Sequence, residues 1–265
     1  MNNNPKYRWP LNKEQIEVLH LLYRFRFGSA DLIARSFGKN SGVFVYKRLK
    51  ILQEQDFIGK RFDSSYRIKG KPAVYYLTPD GLRKLNERRA SDNKEAVNAQ
   101  GIYRAKLASE SFVQSCLDVF GIYLDLKSQY GESLHFFTKS QLVKYDYFSE
   151  FVPGVYMRIV SNGIEKDYFL EYLQSGKPFF TVIQRLKQYI EYADSGEWEA
   201  ETDSKFPTIL LVCDKPSLQN RLLKKAAPTL DDADDEIKFY ATIHVSSDIW
   251  FNLVEPDEPL SLSSI

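Results

Sequence analysis

The stretch YYLTPDGLRKL, residues 75–85, marks a change from strand to helix. Val74 to Leu77 is a short run of apolar and aromatic residues, which favours a strand, and the turn residues TPDG begin a helix. On the amino side of this stretch lies a basic segment, SSYRIKGKP, at residues 64–72. The pattern predicts a β-hairpin with Gly70 in its loop, followed directly by a helix.

Two helices are predicted at the start of the chain. Between Leu11 and Phe25, apolar residues recur at steps of three and four, which indicates an amphipathic helix. Gly28 breaks this helix, and Ser29 is a suitable cap for a second helix from Ala30 to Phe37.

A third helix is predicted after Gly38, with Asn40 or Ser41 as its cap. Its apolar residues share one face at spacings of i, i+4 and i+7: Val45, Leu49 and Leu52. Its other faces carry polar and basic residues: Tyr46, Lys47, Arg48 and Lys50. Short helices with brief turns, the third of them basic on its exposed side, are typical of a helix-turn-helix.

This order of elements resembles the winged-helix pattern over about residues 11–89, including the Leu-Thr-Pro-x-Gly exit from the wing. The resemblance implies binding to double-stranded DNA, because a helix fits the major groove and basic side chains neutralise phosphates. The predicted DNA contacts are Ser41, Tyr46, Lys47, Arg48 and Lys50 from the helix, and Arg61, Arg67, Lys69 and Lys71 from the wing. A winged helix that contacts only proteins is the alternative.

The charge is divided unequally along the chain. Through Lys106 there are 22 Lys/Arg and 10 Asp/Glu, a net charge of +12. The remaining 159 residues carry 14 Lys/Arg and 25 Asp/Glu, a net charge of −11. Such asymmetry indicates a polyanion-binding module joined to an acidic domain.

The polar segment ASDNKEAVNA has no apolar period and marks the predicted domain boundary. We therefore expect a winged-helix domain at residues 1–90, a linker at 91–100 and a second domain at 101–265.

Composition and missing motifs exclude several classes of protein. The cysteines Cys116 and Cys213 stand apart among apolar neighbours, which favours packed thiols over a disulfide or a zinc site. The sequence has no secretory signal and no apolar run long enough to span a membrane, so a cytoplasmic location is expected. It also lacks the nucleotide-binding motifs GxxxxGK[ST] and GxGxxG, the hydrolase motif GxSxG, and the HxH and HExxH motifs of metal-dependent relaxases and zinc proteases.

The second domain shows the alternating pattern of an α/β layered fold. A helix is expected from Ala105 to Phe120, with an apolar pattern that continues past Leu126, and another from Phe180 to Tyr192. Strands are expected at 134–138, 155–160, 167–173, 207–213 and 237–244, with a helix at 216–226. The apolar run ILLVC is typical of a strand buried on both faces. The tail EPDEPLSLSSI, residues 255–265, is expected to be frayed.

Four short motifs in this order resemble the replication-relaxation family of plasmid and mobile-element proteins. They are Phe151-Val152-Pro153-Gly154, Tyr168-Phe169-Leu170-Glu171-Tyr172-Leu173, Arg185-Leu186-Lys187-Gln188-Tyr189 and Ile209-Leu210-Leu211-Val212. The resemblance implies a winged helix fused to a domain similar to the restriction-endonuclease-like nucleases. Those nucleases hold a divalent metal between an acidic residue on one strand and a D/E-x-K motif on the next.

The chain departs from that nuclease pattern at two positions. Gly154 stands where the first acid is expected, and Leu173 stands two residues after Glu171 in place of a lysine or acid. A second acid would have to come from Asp146, Glu150 or Asp167, and a basic group from Arg185 or Lys187.

We therefore predict an α/β domain with a restriction-endonuclease-like fold that needs no cofactor and makes protein or DNA contacts. The expected function is DNA binding in replication, mobilisation or transcriptional control of a plasmid or mobile element. A second copy of the chain or a replication or transfer protein is the expected partner. The alternative is a divergent Mg²⁺-dependent nuclease or nickase that uses Glu171.

Overall fold

A computed structural model describes residues 10–99, 101–148, 151–161, 163–230 and 236–265. The chain divides into two compact units, Met1–Leu124 and Asp125–Ile265. The fold mixes helices with two sheets, as the predicted α/β class requires. Within the described residues no helix is both long and apolar enough to cross a membrane.

The first unit begins with helices and continues with a small sheet. Its elements are α1 (Lys13–Phe25), β1 (Phe27–Ser29), α2 (Ala30–Ser36), α3 (Val43–Glu54), β2 (Ile58–Arg61), α4 (Ser64–Ile68), β3 (Val74–Leu77), α5 (Pro79–Ser91), a 3-10 helix (Ile102–Leu107) and the start of α6 (Glu110–Tyr130). The strands form an antiparallel sheet in the order β1-β3-β2.

The predicted hairpin is formed by β2 and β3, with Ile58 opposite Leu77 and Arg61 opposite Val74. Its loop differs from a simple turn because it contains the short helix α4. Asp63 starts α4 by accepting hydrogen bonds from the backbone N–H groups of Ser65 and Tyr66. The strand β1, where only a break at Gly28 was expected, pairs with β3 on its other side.

The TPDG turn at the start of α5 depends on a close backbone approach. Thr78 caps α5 by accepting a hydrogen bond from Gly81 N–H, and its own N–H donates to the Phe57 carbonyl. A Cβ atom on Gly81 would lie 2.0 Å from that carbonyl oxygen. Only glycine therefore fits at this position without displacing the backbone between α3 and β2.

The predicted linker lies inside the first unit. Asn86 of α5 holds it through two hydrogen bonds with the backbone of Val97, while Gln100 lies outside the described residues. The division between the two compact units falls after Leu124, within α6. A functional boundary at residues 91–100 stays a prediction.

The helix predicted from Ala105 begins at Glu110, after a separate 3-10 turn. The helix starts later because the backbone carbonyls of Ala105 and Ala108 accept hydrogen bonds from the Arg61 guanidinium. The extended backbone of Ala108 separates the two helical segments.

The second unit is built around one mixed sheet. Its elements after α6 are β4 (Leu134–Thr138), α7 (Lys139–Leu142), β5 (Val155–Ser161), β6 (Ile164–Leu173), α8 (Phe179–Asp194), α9 (Glu197–Thr202), β7 (Thr208–Cys213), α10 (Pro216–Lys225), α11 (Ala227–Leu230), β8 (Phe239–Thr242) and β9 (Phe251–Asn252), with short 3-10 turns. The strands follow each other in chain order across the sheet.

The sheet changes from antiparallel to parallel at β6. β4, β5 and β6 are antiparallel neighbours, whereas β7 runs parallel to both β6 and β8. β7 is the expected apolar strand, and Ile209, Leu210 and Leu211 are fully buried. One face of the sheet carries an aromatic core in which Phe169 packs against Trp198 and Phe206.

The expectation of a frayed tail is wrong. Trp250 and Leu260 form a bridge through two backbone hydrogen bonds, and Leu262 is buried. The Leu262 N–H donates to Asp248, and its carbonyl accepts from the buried Tyr168 hydroxyl. Leu262 of this polar-looking segment therefore belongs to the core, while the Leu260 side chain stays exposed.

The cysteines are free thiols, Cys116 half-buried and Cys213 buried. Burial raises the pKa of each thiol to about 12, as expected for packed cysteines.

Replacing Gly81 with alanine is expected to lower the free energy of unfolding by about 2 kcal/mol or more, because overpacking forces a backbone shift. Gly121 in α6 is the matched control, since a Cβ there meets nothing within 4 Å. Gly121→Ala should raise stability by about 0.5–1 kcal/mol through helix propensity. Urea denaturation measures both, and equal stability of the two variants would contradict the close approach at Gly81.

Candidate functional site

Helix α3 is fixed to the first unit by one apolar face and exposes the other. Val45, Leu49 and Leu52 are buried, as predicted. The exposed side carries Val43, Phe44, Tyr46, Lys47, Lys50 and Ile51. This surface, which we call the α3 face, combines positive charge with apolar and aromatic side chains.

The start of α3 is fixed by α2. The Asp31 carboxylate accepts a hydrogen bond of 2.7 Å from the Gly42 N–H, and a Cβ atom on Gly42 would lie 2.6 Å from the same oxygen. Gly42 is the cap residue of α3, where Asn40 or Ser41 was expected. Ser41 is exposed, and its hydroxyl accepts a hydrogen bond from the Val43 N–H.

Arg48, a predicted DNA contact, is held by the protein itself. Its guanidinium forms an ion pair with Glu14 of α1 and donates a 2.7 Å hydrogen bond to the Phe44 carbonyl. It also lies over the Phe44 ring at 4.4 Å, and Lys39 approaches the same ring at 5.0 Å. The Arg48 donors are therefore largely used within the first unit.

The lysines of the α3 face are more accessible. Lys50 is exposed and forms a long, 3.8 Å pair with Glu54, of the kind that contributes little to stability. Lys47 is exposed and forms no ion pair within the part of the chain that the structure describes. Tyr46 is 53% exposed. These side chains are available to a ligand.

The loop between β2 and β3, residues 62–73, is the second basic element. Tyr66 anchors it in a small core with Phe27 and Val113. Arg67 and Lys69 are exposed at its tip, and in the described regions neither side chain has a partner. The loop therefore offers two free cations on an anchored support.

Glu110, at the start of α6, binds the other two predicted wing residues, Arg61 and Lys71. Its carboxylate accepts hydrogen bonds from the Tyr66 hydroxyl at 2.9 Å, from Arg61 at 3.0 Å and from Lys71 at 3.2 Å. The Tyr66 hydrogen bond lowers the pKa of Glu110, burial opposes it, and the Lys71 hydrogen bond lowers it further. Arg61 is only 17% exposed and also donates to backbone carbonyls.

The predicted DNA contacts therefore fall into two groups. Ser41, Tyr46, Lys47, Lys50, Arg67 and Lys69 are exposed, whereas Arg48, Arg61 and Lys71 are joined to carboxylates. The carboxylates that make this division, Glu14 and Glu110, were not singled out from the sequence, where no local pattern marks them. Lys39 and Lys60 are further exposed cations beside α3 and the loop.

In the second unit, Glu171 lies on β6 in an internal network. Its Oε1 atom accepts hydrogen bonds from the Gly154 N–H at 2.8 Å, the Tyr189 hydroxyl at 2.8 Å and two Arg185 nitrogens at 2.9 and 2.5 Å. Burial raises the pKa of Tyr189, and the Glu171 charge raises it further. Arg185 also donates to the Val152 carbonyl.

The residues around Glu171 do not fit a divalent metal. A Cβ atom on Gly154 would lie 3.0 Å from Glu171 Oε2 and from the Leu170 carbonyl, so these neighbours would have to shift to admit an acidic side chain there. Leu173 is buried in the core. Among the described residues, no group of three His, Cys, Asp or Glu side chains is arranged to hold a metal ion.

The other acids proposed for this site are placed elsewhere. Asp167 forms a bidentate pair with Arg158 and accepts a hydrogen bond from Tyr156. Asp146 is exposed in a 3-10 turn, and Glu150 lies outside the described residues. Of the two candidate basic residues, Arg185 meets Glu171, whereas Lys187 is exposed.

Glu171→Gln is expected to lower the free energy of unfolding by about 2–3 kcal/mol, because the change leaves Arg185 without its charged partner. The Glu171 side chain is 13% exposed, so water compensates little for the loss. Glu165→Gln is the matched control, since the Glu165 side chain on the same strand pairs with Arg158 but is 55% exposed. Thermal and urea denaturation measure both variants, and equal stability would show that the Glu171 pair is not structural.

Comparison with known proteins gives one family. The replication-relaxation family matches residues 19–209, from within α1 to the start of β7. A search of curated proteins finds no match. Since the family match covers more than half of the sequence, the chain belongs to the replication-relaxation family.

Proposed function

We propose that the first unit binds double-stranded DNA as a winged helix, in the replication, mobilisation or transcriptional control of a plasmid or mobile element. The observation that carries the proposal is that the first unit has both an exposed basic helix face and an anchored basic loop. Lys47 and Lys50 are available on α3, and Arg67 and Lys69 on the loop.

The order of elements supports this proposal. A helical segment leads through β1 and α2 to α3, and the β2–β3 hairpin then extends its loop before α5 begins. If the first unit is a winged helix, α3 corresponds to the recognition helix that enters the major groove, and the loop corresponds to the wing. Family membership supports a role in replication or mobilisation.

The charge distribution also supports binding to a polyanion. Of the net charge of +12 through Lys106, residues 39–71, which contain α3 and the loop, carry +6, from nine Lys/Arg and three Asp/Glu. Each phosphate that a lysine or arginine neutralises releases condensed counterions, so affinity should fall as salt rises.

For the second unit we propose a nuclease-like fold that makes protein contacts without catalysis. Three antiparallel strands followed by parallel β7 and β8, with helices between the parallel strands, agree with such a fold. Arg185 and Tyr189 already use the Glu171 carboxylate. The acidic surplus of this unit suits a partner with a basic surface, such as a replication or transfer protein or the first unit of a second copy.

DNA binding can be tested by fluorescence anisotropy on random-sequence duplex DNA over a salt titration. We expect log K to fall linearly with log salt, with a slope of about 0.9 per neutralised phosphate. Lys47→Ala combined with Lys69→Ala should reduce the slope by about 2, since each lysine is expected to contact a phosphate.

The control for this double variant is Lys187→Ala with Lys215→Ala, which removes two exposed lysines from the second unit. It should leave the slope unchanged. The proposal fails if the unaltered chain does not bind DNA at low salt. An unchanged slope in the Lys47 and Lys69 variant would reject these residues as phosphate contacts.

Nuclease activity is a separate test. Supercoiled plasmid incubated with the chain and Mg²⁺ or Mn²⁺ is expected to stay supercoiled, because the residues around Glu171 do not form a metal site. Nicking that needs the ion and disappears in Glu171→Gln, measured below the melting temperature of that variant, would instead establish the nuclease alternative.

A further inference from the structure

The α3 face is unusually apolar for a surface that would bind a polyanion. Val43, the first residue of the helix, is 73% exposed, and Tyr46 and Ile51 are also exposed. These side chains accompany Lys47 and Lys50 along the same part of the helix. Because folding leaves these side chains exposed, we infer that they contact a ligand of the helix.

The first two turns of this helix carry no side chain that reads adenine by paired hydrogen bonds. Arginine or lysine recognises guanine, and asparagine or glutamine recognises adenine, through such bonds. Residues 43–50 contain no asparagine or glutamine, and their one arginine, Arg48, is held by Glu14 and the Phe44 carbonyl. Lys47 and Lys50 can donate to guanine or to phosphates, whereas the exposed side chains at the amino end of α3, Val43, Phe44 and Tyr46, offer mainly apolar contact.

Thymine is the base that presents an apolar group, its C5 methyl, in the major groove. We propose that α3 recognises thymine methyl groups through Val43, with Tyr46 one turn further along. This inference rests on the proposed DNA binding and adds the base that the helix selects. Lys47 and Lys50 provide the charge complementarity that favours DNA as the occupant of this face.

The position of Val43 suits such a contact. Residues near the amino end of a recognition helix reach the base edges. The Asp31 carboxylate holds the preceding Gly42 N–H at 2.7 Å, which fixes the backbone at this point. Val43 also has a single preferred side-chain rotamer in a helix, so its methyl groups are presented with little loss of entropy.

The test compares thymine with deoxyuridine, which differs only by the missing methyl group. The chain is first used to select its preferred duplex from a random pool, and each thymine of that duplex is then replaced singly by deoxyuridine. At one or more positions we expect affinity to fall about threefold to fourfold, the effect of one buried methyl group. This comparison changes the DNA alone and does not depend on the stability of any variant.

Val43→Ser should bring the thymine-to-deoxyuridine ratio close to one at that position. Lys47→Ala should weaken binding to both duplexes equally and keep the ratio. Ile164→Ala, which shortens an exposed apolar side chain of the second unit, should change neither affinity nor ratio. Circular dichroism checks that the variants remain folded.

The outcomes separate the two proposals. Salt-dependent binding in which no deoxyuridine substitution matters, or a ratio that persists in folded Val43→Ser, would overturn thymine recognition and leave DNA binding intact. A selected duplex without thymine would overturn it as well. If the unaltered chain does not bind duplex DNA at low salt, both proposals fail.

Discussion

A charged side chain that folding removes from water needs a partner of opposite charge, and this constraint shapes both units. In the first unit it joins Arg48 to Glu14 and Arg61 to Glu110. In the second it joins Arg185 to Glu171. Because of this requirement, Arg48 and Arg61 pair within the protein and are less available to DNA. Glu171, where the resemblance implied a metal, is likewise used by Arg185.

The cations that remain accessible on α3 are lysines. A lysine ammonium is a compact point charge that suits phosphates, whereas the planar guanidinium of arginine is a rigid fork of donors. A surface with free lysines and exposed apolar side chains is expected to take affinity from the DNA backbone and selectivity from shape and methyl contacts. Glu110 has a related role, because it anchors the loop and leaves only the cations at the tip, Arg67 and Lys69, unpaired within the described residues.

Local patterns in the sequence predict most helices and strands, but they do not indicate which charged side chains pair with each other. Strand β4 has the predicted bounds, and the apolar run ILLVC forms the buried strand β7. The partners of Arg48 and Arg61 lie 34 and 49 residues away in the chain, so no periodicity indicates them. Glu171 was identified through the family resemblance, but its capture by Arg185 depends on the packing of α8 against the sheet.

The folded tail has an evolutionary consequence. Chain ends usually accumulate substitutions and insertions freely, because their side chains touch little else. Here the Leu260 backbone bridges to Trp250, and the buried Leu262 accepts a hydrogen bond from the Tyr168 hydroxyl, so Leu262 is part of the core of the second unit. Among related sequences, variation should therefore concentrate in residues 255–259, while an apolar residue is retained at position 262 as it is in the central strands.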